Sequence, residues 1–374
     1  MIPVLYPANE QLFSSLGYGG LGEARSCRVK WQLNGAYELE MQYPVSGRRF
    51  AELRPRRLIR ASVGPGEAPQ IFRIYRVTKP LRGLCSVYAR HIAYDLMGYT
   101  VRPFTSNSLA EATAQLQSGA TIQNHGFSIR STFARDTACN VATPRSVWSM
   151  LGGQRGSLLD IYGGEWEFSN STCTLMERLG ADLGVTVRYG VNLRTLEQDE
   201  NLANTWTAVQ PYWLSTDGLT TVTLPEDIIS TGTFDYTRVL VLDLSAEWPE
   251  PPTVEERRAR TREYISDNKI GVPSVSLDVD FVPLDQTEEY RGRSFLQSVH
   301  KGDTVAVEFP TAWDKNTGAP IAWVRAAARA VATVWLPLKD KYESVRLGEK
   351  RSNFVSALAQ VQKNMTWAMT KIRR

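Results

Sequence analysis

The feature that most constrains this chain is an alternation of apolar residues interrupted by a turn. Cys27, Val29, Trp31 and Leu33 occupy every second position, Asn34-Gly35 follows, and Tyr37, Leu39, Met41 and Tyr43 resume the period until Pro44 stops it. Residues two apart share one face of a strand. Asn-Gly is the strongest short signal for a type I′ turn, whose two central residues both need φ > 0. Cys27 to Tyr43 is therefore expected to be a β-hairpin with matched apolar faces, turning on Asn34 and Gly35. Leu58 to Val63, Ile71 to Val77 and Leu84 to Tyr88, the last after a turn at Arg82-Gly83, read as further strands. Meandering strands with short turns suggest a small barrel or sandwich.

Past Ala93 the pattern changes. His91 to Leu96 enters a short helical segment, and Leu109, Ala112 and Leu116 fall at helical spacing within Ser108 to Gln117. Ser146 to Leu151 reads as part of a helix ending at Gly152-Gly153. Glu165 to Phe168 and Ser171 to Arg178 read as paired strands around Asn170, and Val185 to Tyr189 as another strand. Residues 95 to 200 are thus α+β in character.

Strand signals return at Trp206 to Tyr212, Thr220 to Leu224 and Arg238 to Leu242, before a break at Trp248-Pro249-Glu250-Pro251-Pro252. Thr253 with Glu256 forms a capping box that opens a helix running to about Asn268. Arg257, Arg258, Arg260 and Arg262 lie on that helix. Glu255, Glu256 and Glu263 balance them, which favours a solvated or interface helix over a polyanion-binding face. Val275 to Val282, Val299 to Phe309, Ile321 to Trp335 and Tyr342 to Leu347 read as strands, with a turn at Lys301-Gly302-Asp303. Phe354, Leu358, Val361, Met365 and Ile372 place one apolar stripe along a C-terminal helix.

The chemistry legible in the chain is sparse. The 374 residues imply two to three domains at about 150 residues each. A 22% charged and 43% hydrophobic composition excludes a disordered, collagen-like or membrane-embedded chain. The net charge of +4 permits a polyanion partner without arguing for one. No apolar run of about 18 residues is present, and Met1 to Glu10 lacks the features of a signal peptide, so neither a membrane segment nor a leader is expected. Cys27, Cys85, Cys139 and Cys173 are far apart and outside any C-x-x-C pair, and are read as buried free thiols. Gly17 to Gly22 matches G-x-G-x-x-G but precedes a hairpin rather than a helix, so it is read as a turn. The histidines His91, His125 and His300 form no H-E-x-x-H, no G-x-S-x-G is present, and a Cys85–His91 dyad would need the fold to bring both together. The carboxylates offer no distinctive pair, so glycosidase chemistry can be neither read nor rejected by spacing.

Four stretches carry a resemblance. The first is Asn34-Gly35-Ala36-Tyr37-Glu38-Leu39-Glu40-Met41-Gln42-Tyr43-Pro44. The second is Phe72-Arg73-Ile74-Tyr75-Arg76-Val77, followed by Tyr88-Ala89-Arg90-His91-Ile92-Ala93-Tyr94-Asp95-Leu96. The third runs from Gly156-Ser157-Leu158-Leu159-Asp160-Ile161-Tyr162-Gly163-Gly164-Glu165-Trp166-Glu167-Phe168 through Gly184 to Leu193 and ends at Pro211-Tyr212-Trp213. The last joins Val299-His300-Lys301-Gly302-Asp303-Thr304-Val305 to Tyr342-Glu343-Ser344-Val345-Arg346-Leu347-Gly348. In this order, over about residues 30 to 350, the chain resembles the phage minor structural protein family, also called prophage endopeptidase tail or the N-terminal region of tail-associated lysins.

The resemblance implies a baseplate-hub-like, β-rich multidomain α+β fold with two tube-like β-barrel domains and α+β insert domains. The expected division is 1–95 for the first barrel, 96–200 for an α+β domain, and 201–248 with 299–350 for a second, discontinuous barrel. An inserted helix-strand region would fill 249–298, and a C-terminal helix 351–374. The implied function is a virion structural hub at the phage or prophage-derived tail tip, made in the host cytoplasm. It would be a homotrimeric ring adapting a sixfold tail tube or distal tail protein to a tip spike, fibre or lysin, with DNA only in transit. No cofactor, metal or catalytic residue is expected, because the cell-wall-degrading domain of relatives would need about 150 further residues. The alternative is a tail-associated endopeptidase or peptidoglycan hydrolase acting in host cell-wall penetration. Phe354, Leu358, Val361 and Met365 are the candidate oligomer or tip interface.

Overall fold

The period-two alternation forms the hairpin it implies. Strands Ser26–Gln32 and Tyr37–Pro44 pair antiparallel, with Cys27 opposite Met41, Val29 opposite Leu39 and Trp31 opposite Tyr37. All six side chains are buried, while the intervening Arg28, Lys30, Glu38 and Glu40 lie on the more open face. The computed structural model describes residues 1–122, 126–188, 193–201, 205–215, 218–245, 247–248, 250–268, 270–271, 274–281, 299–313 and 320–348.

The turn departs from the type I′ expectation. Gly35 N–H donates to the Gln32 carbonyl at 3.0 Å, and Gln32 N–H to the Ala36 carbonyl at 2.8 Å, so Leu33 and Asn34 are the central residues. Asn34 takes a left-handed φ of 49°, whereas Gly35 is not among the positive-φ glycines. The cause lies outside the hairpin. Leu33 is buried and its N–H donates to the Val331 carbonyl at 2.8 Å. The Asn34 side chain accepts from Trp166 N–H at 2.8 Å and donates to the Gly164 carbonyl at 3.1 Å.

The hairpin sits inside a large curled sheet. On one side, Tyr37–Pro44 pairs with Leu84–His91, followed in order by Gln70–Thr78, Leu58–Ala61, Val4–Tyr6 and Gly19–Gly20, all antiparallel. On the other side, Ser26–Gln32 pairs with the long strand Pro320–Leu336. The first part of that strand pairs with Thr304–Trp313 and the last part with Lys341–Gly348, while Asp182–Arg188 runs parallel to Thr304–Trp313. The register slips between Ala330 and Ala332, so neighbouring Ala330 and Val331 are both buried, as a bulge allows. One apolar cluster lines the inner face, drawing Leu5, Val29, Leu39, Phe72, Val87, Val187, Val305 and Trp335 together.

A second core belongs to the α+β stretch. Helix Leu109–Ser118 is capped by the Ser108 hydroxyl and buries Leu109, Ala112 and Leu116, as their spacing predicts. Short helices Val147–Leu151 and Leu158–Tyr162 are capped by Ser146 and Ser157. Glu165–Ser169 and Thr172–Met176 form an antiparallel hairpin turning through Asn170 at φ 50°. Trp166 and Cys173 of that hairpin join the helices in one cluster.

Contacts divide the chain into Met1–Glu197 with Leu277–Arg374, and Gln198–Ser276. This differs from the division expected from sequence. Among the described residues, the strands between 304 and 348 hydrogen-bond into the sheet that begins at Val4, with Thr333 opposite Trp31, and none pairs with the strands of 205–248. Alternation marks a strand without naming its neighbour. In the second unit, Ala208–Leu214 is central, antiparallel to Thr221–Thr223 and Ile229–Ser230 and parallel to Val239–Asp243. Helix Val254–Asp267 follows with its capping box complete: Thr253 Oγ1 accepts Glu256 N–H at 3.3 Å, and the Glu256 carboxylate accepts Thr253 N–H at 2.8 Å.

The revised turn reverses the roles of its residues. Asn34→Ala loses a residue suited to left-handed φ and strands Trp166 N–H and the Gly164 carbonyl, an expected cost of about 2–4 kcal/mol. A Cβ on Gly35 meets only the flexible Gln32 side chain, at 3.0 Å. Gly35→Ala is therefore expected to cost less than about 1 kcal/mol. Urea denaturation of the two variants checks this order.

Candidate functional site

Among the described residues, a dense set of polar side chains lies where the sheet meets the α+β stretch. It begins at the turn after Val299. Lys301 Nζ donates to Glu67 Oε2 at 2.5 Å and to the Tyr37 hydroxyl at 3.0 Å, and stands 4.8 Å from the Tyr37 ring centroid. Burial holds the Lys301 pKa below its ordinary value, against the pull of the Glu67 carboxylate. Tyr37 stacks on His91 with ring centroids 4.6 Å apart. His91 Nδ1 accepts Ala93 N–H at 3.2 Å, so Nε2 carries the proton and donates to Gln70 Oε1 at 3.1 Å. Burial, reinforced by the Lys301 charge, lowers the His91 pKa to about 3. Gln70 Oε1 also accepts Asn170 N–H at 2.6 Å, tying the sheet to the turn of the second core's hairpin.

A second polar knot stands beside the first in sequence. Arg329 grips Glu165 with Nη1 at 2.7 Å and Nη2 at 2.8 Å, and donates to the carbonyls of Leu179 and Gly302. Glu165 in turn accepts Leu179 N–H at 2.7 Å. Such a bidentate pair fixes both planes at once. The Asp303 carboxylate accepts the N–H groups of Ala181 and His300 at 2.9 and 2.8 Å. Gly180 and Gly302 let the two backbones touch: a Cβ on Gly180, at φ 77°, would lie 2.2 Å from the Gly302 carbonyl carbon. These donors and acceptors are directed at one another, and their joint effect is to lock elements distant in sequence.

The residues nominated from sequence fall elsewhere. The stripe Phe354, Leu358, Val361 and Met365 lies outside the described residues, as does His125. The Gly17–Gly22 segment is a turn whose Gly19–Gly20 pairs with Val4 and Leu5, and a Cβ on Gly17 would meet the Leu5 carbonyl at 2.5 Å. Cys27, Cys85, Cys139 and Cys173 are buried free thiols, and burial raises the pKa of each, to about 12 for Cys27 and Cys173. Cys85 and His91 sit at opposite ends of strand Leu84–His91, roughly 20 Å apart at strand rise, and form no dyad. Among the described residues, no group of three His, Cys, Asp or Glu side chains is placed to hold a metal ion.

The arginine helix divides by face. Arg258 pairs with Glu226 and Arg260 with Glu247 and Glu263, as a solvated face does. Arg257 departs from that reading: it is 2% exposed, and its Nε and Nη1 lack hydrogen-bond partners. Lys301, Arg329, Glu165 and Asn34 were absent from the sequence candidates as a polar site. The only signal was that Lys301 stands in a Gly-Asp turn and Glu165 on an apolar strand, which does not reveal their partners.

No family model matches the sequence, and no curated protein matches it. In three dimensions the chain is similar to prophage tail protein gp18 from Listeria monocytogenes EGD-e, at 15% identity and TM-score 0.53, covering 98% of this chain and 100% of that one. It is similar to the tail protein from Neisseria meningitidis MC58, at 11% identity and TM-score 0.56, covering 95% and 98%. The 43 kDa tail protein of prophage MuSo2 from Shewanella oneidensis matches at 12% identity and TM-score 0.53, covering 94% and 98%. At these identities the likeness establishes the fold.

Two outcomes follow from the buried charges. Between pH about 3 and 6.5 the unfolded chain binds a proton at His91 that the folded chain excludes, so stability falls as pH drops through that window, by up to about 1.4 kcal/mol per unit. His300, whose pKa is raised by its bond to Asp303, acts in the opposite sense: its contribution is present below 6.5 and fades as pH rises through the folded value. His91→Gln is expected to flatten the acid side of the stability profile, measured by urea denaturation against pH. Arg257→Met removes unpaired buried donors and is expected to raise the melting temperature.

Proposed function

We propose that this chain, which has the fold of prophage tail proteins, is a non-catalytic structural component of a phage or phage-derived tail, residing in the virion. The observation that carries the reading is the end-to-end likeness to three tail proteins, each spanning at least 94% of this chain and 98% of the other. The polar cluster supports it: His91 is held neutral in the core, burial raises the pKa of all four thiols, and Lys301 and Arg329 are engaged in partly buried pairs. Groups of this kind join elements and do no acid–base or nucleophilic work at neutral pH.

The finer form of the proposal is a homotrimeric hub that adapts a tail tube to a tip spike or fibre. Phe354, Leu358, Val361 and Met365, spaced by four, three and four residues, are assigned to the trimer axis or the tip contact, since a threefold axis buries three such stripes together. Sedimentation of the full chain is expected to give three times the 41.9 kDa subunit mass, and a larger mass holding three copies of the chain when the tube subunit is added. Leu358→Asp with Val361→Asp is expected to yield folded monomers with an unchanged β signal in circular dichroism. Monomer under both conditions would defeat the hub. Clearing of host peptidoglycan by the purified chain, abolished by a single substitution, would defeat the non-catalytic reading.

A further inference from the structure

The positive charge of the chain is concentrated in one segment. Residues 48–60 hold Arg48, Arg49, Arg54, Arg56, Arg57 and Arg60 against the single carboxylate Glu52, a net +5 where the whole chain carries +4. Among the described residues only Arg48 of these six has an ion pair, to Glu23 at 3.7 Å, and its side chain is 89% exposed. Others are used to hold the loop itself. Arg54 Nε donates to the Ala51 carbonyl at 2.9 Å, Arg57 donates to the Glu52 carbonyl and lies 4.2 Å over the Tyr18 ring, and Arg60 reaches the Phe13 carbonyl at 3.5 Å. Arg56 takes a φ of 74°, unusual for a side-chain-bearing residue. Arg73 on its carbonyl at 2.7 Å and the Ile74 carbonyl on its N–H at 2.7 Å keep it there. Arg54, Pro55 and Arg56 are all exposed.

The loop between Tyr6 and Gly17 is built in the same way and lies against it. Glu10 Oε1 accepts the N–H groups of Gln11, Leu12 and Phe13 at 3.1, 2.9 and 3.1 Å. Phe13 takes a φ of 50° and packs edge-on to Tyr6, whose hydroxyl donates to the Ser15 carbonyl at 2.8 Å. The fixed loop presents Leu12 and Leu16 to solvent, 83% and 75% exposed. Arg73 Nη1 donates to both the Ala8 and Arg56 carbonyls, so the two loops form one surface.

A single exposed leucine needs no explanation. Two on a rigid loop beside a concentrated, carboxylate-poor arginine segment specify a mixed chemistry. A nucleic acid would meet the guanidinium groups and leave the leucines in water. The same patch on a second copy would bring +5 against +5. An acidic protein face with an apolar centre satisfies both components, in the arrangement of an apolar core and charged rim. We propose that segments 8–17 and 48–60 together are a docking surface for a different protein whose contacting face carries carboxylates around an apolar patch. This holds whether or not the chain resides in a tail.

The test uses the full chain and a fluorescein-labelled peptide of alternating Glu and Leu, with polyglutamate and a random-sequence DNA duplex as comparators, read by anisotropy across a salt series. The Glu/Leu peptide is expected to bind more tightly than polyglutamate. Arg54→Glu with Arg56→Glu is expected to weaken it by at least about tenfold and to flatten its salt dependence. Leu12→Ser with Leu16→Ser is expected to weaken it by about tenfold at an unchanged salt slope. All four side chains are exposed, and thermal melting checks that the variants fold. Three results would overturn the proposal: no binding of the peptide at low salt, DNA binding at least as tight and indifferent to the leucine variants, or self-association of the wild type that Leu12→Ser with Leu16→Ser abolishes.

Discussion

The larger unit depends on one strand pairing. Ala332, Thr333, Val334 and Trp335 lie opposite Gln32, Trp31, Lys30 and Val29, joining parts of the chain about 300 residues apart in sequence. Through it the N-terminal hairpin and the last strands share one sheet and one core. Without it, Trp335 would lose its place in the cluster that holds Val29, Leu39 and Phe72, and its indole N–H would lose the Ser62 hydroxyl at 3.0 Å. The entropy of closing so long a loop is spent before these contacts form, and the pairing gives the fold its strongly non-local character.

Polar locks then fix what the sheet leaves adjustable. A curled sheet packed on apolar side chains tolerates small slips, because dispersion and burial carry little direction. The Arg329–Glu165 fork and the Asn34 bridge carry direction, since a bidentate fork and a doubly bonded amide are satisfied only in a narrow geometry. Buried charges add little net stability when paired and cost several kcal/mol when one partner is removed. Their contribution here is to the angle between the sheet and the α+β stretch rather than to the depth of the native minimum. A component of an assembly needs fixed angles, which accords with the proposed role and with a surface whose two docking loops are themselves held by hydrogen bonds.

The elements were largely legible in the sequence. Period two in Cys27 to Tyr43, helical spacing in Leu109, Ala112 and Leu116, and the Thr253–Glu256 capping box are local patterns, and each appears where it was read. The Asn34-Gly35 turn shows where local reading stops. Its residues were identified but its conformation was not, because Val331 and Trp166, remote in sequence, pull Leu33 and Asn34 out of the hairpin register. The polar cluster was missed for the same reason: Lys301, Glu67, Arg329 and Glu165 are ordinary charged residues until the fold makes them neighbours.

Sequence alone therefore determined many of the strand and helix segments, their apolar faces and the Thr253 cap, since these follow from steric periods and hydrogen bonds within a few residues, but not strands such as Leu193–Asn201 and Ser128–Ser131, which lack a clear apolar period. Only the tertiary structure decided that the strands between 304 and 348 join the N-terminal sheet, that Arg257 is buried while Arg258 and Arg260 are paired at the surface, and that His91 is held neutral. The physical reason is that strand partners and charge partners are chosen by backbone hydrogen bonds and electrostatic fields across space, and a side chain's identity says nothing about what will stand opposite it.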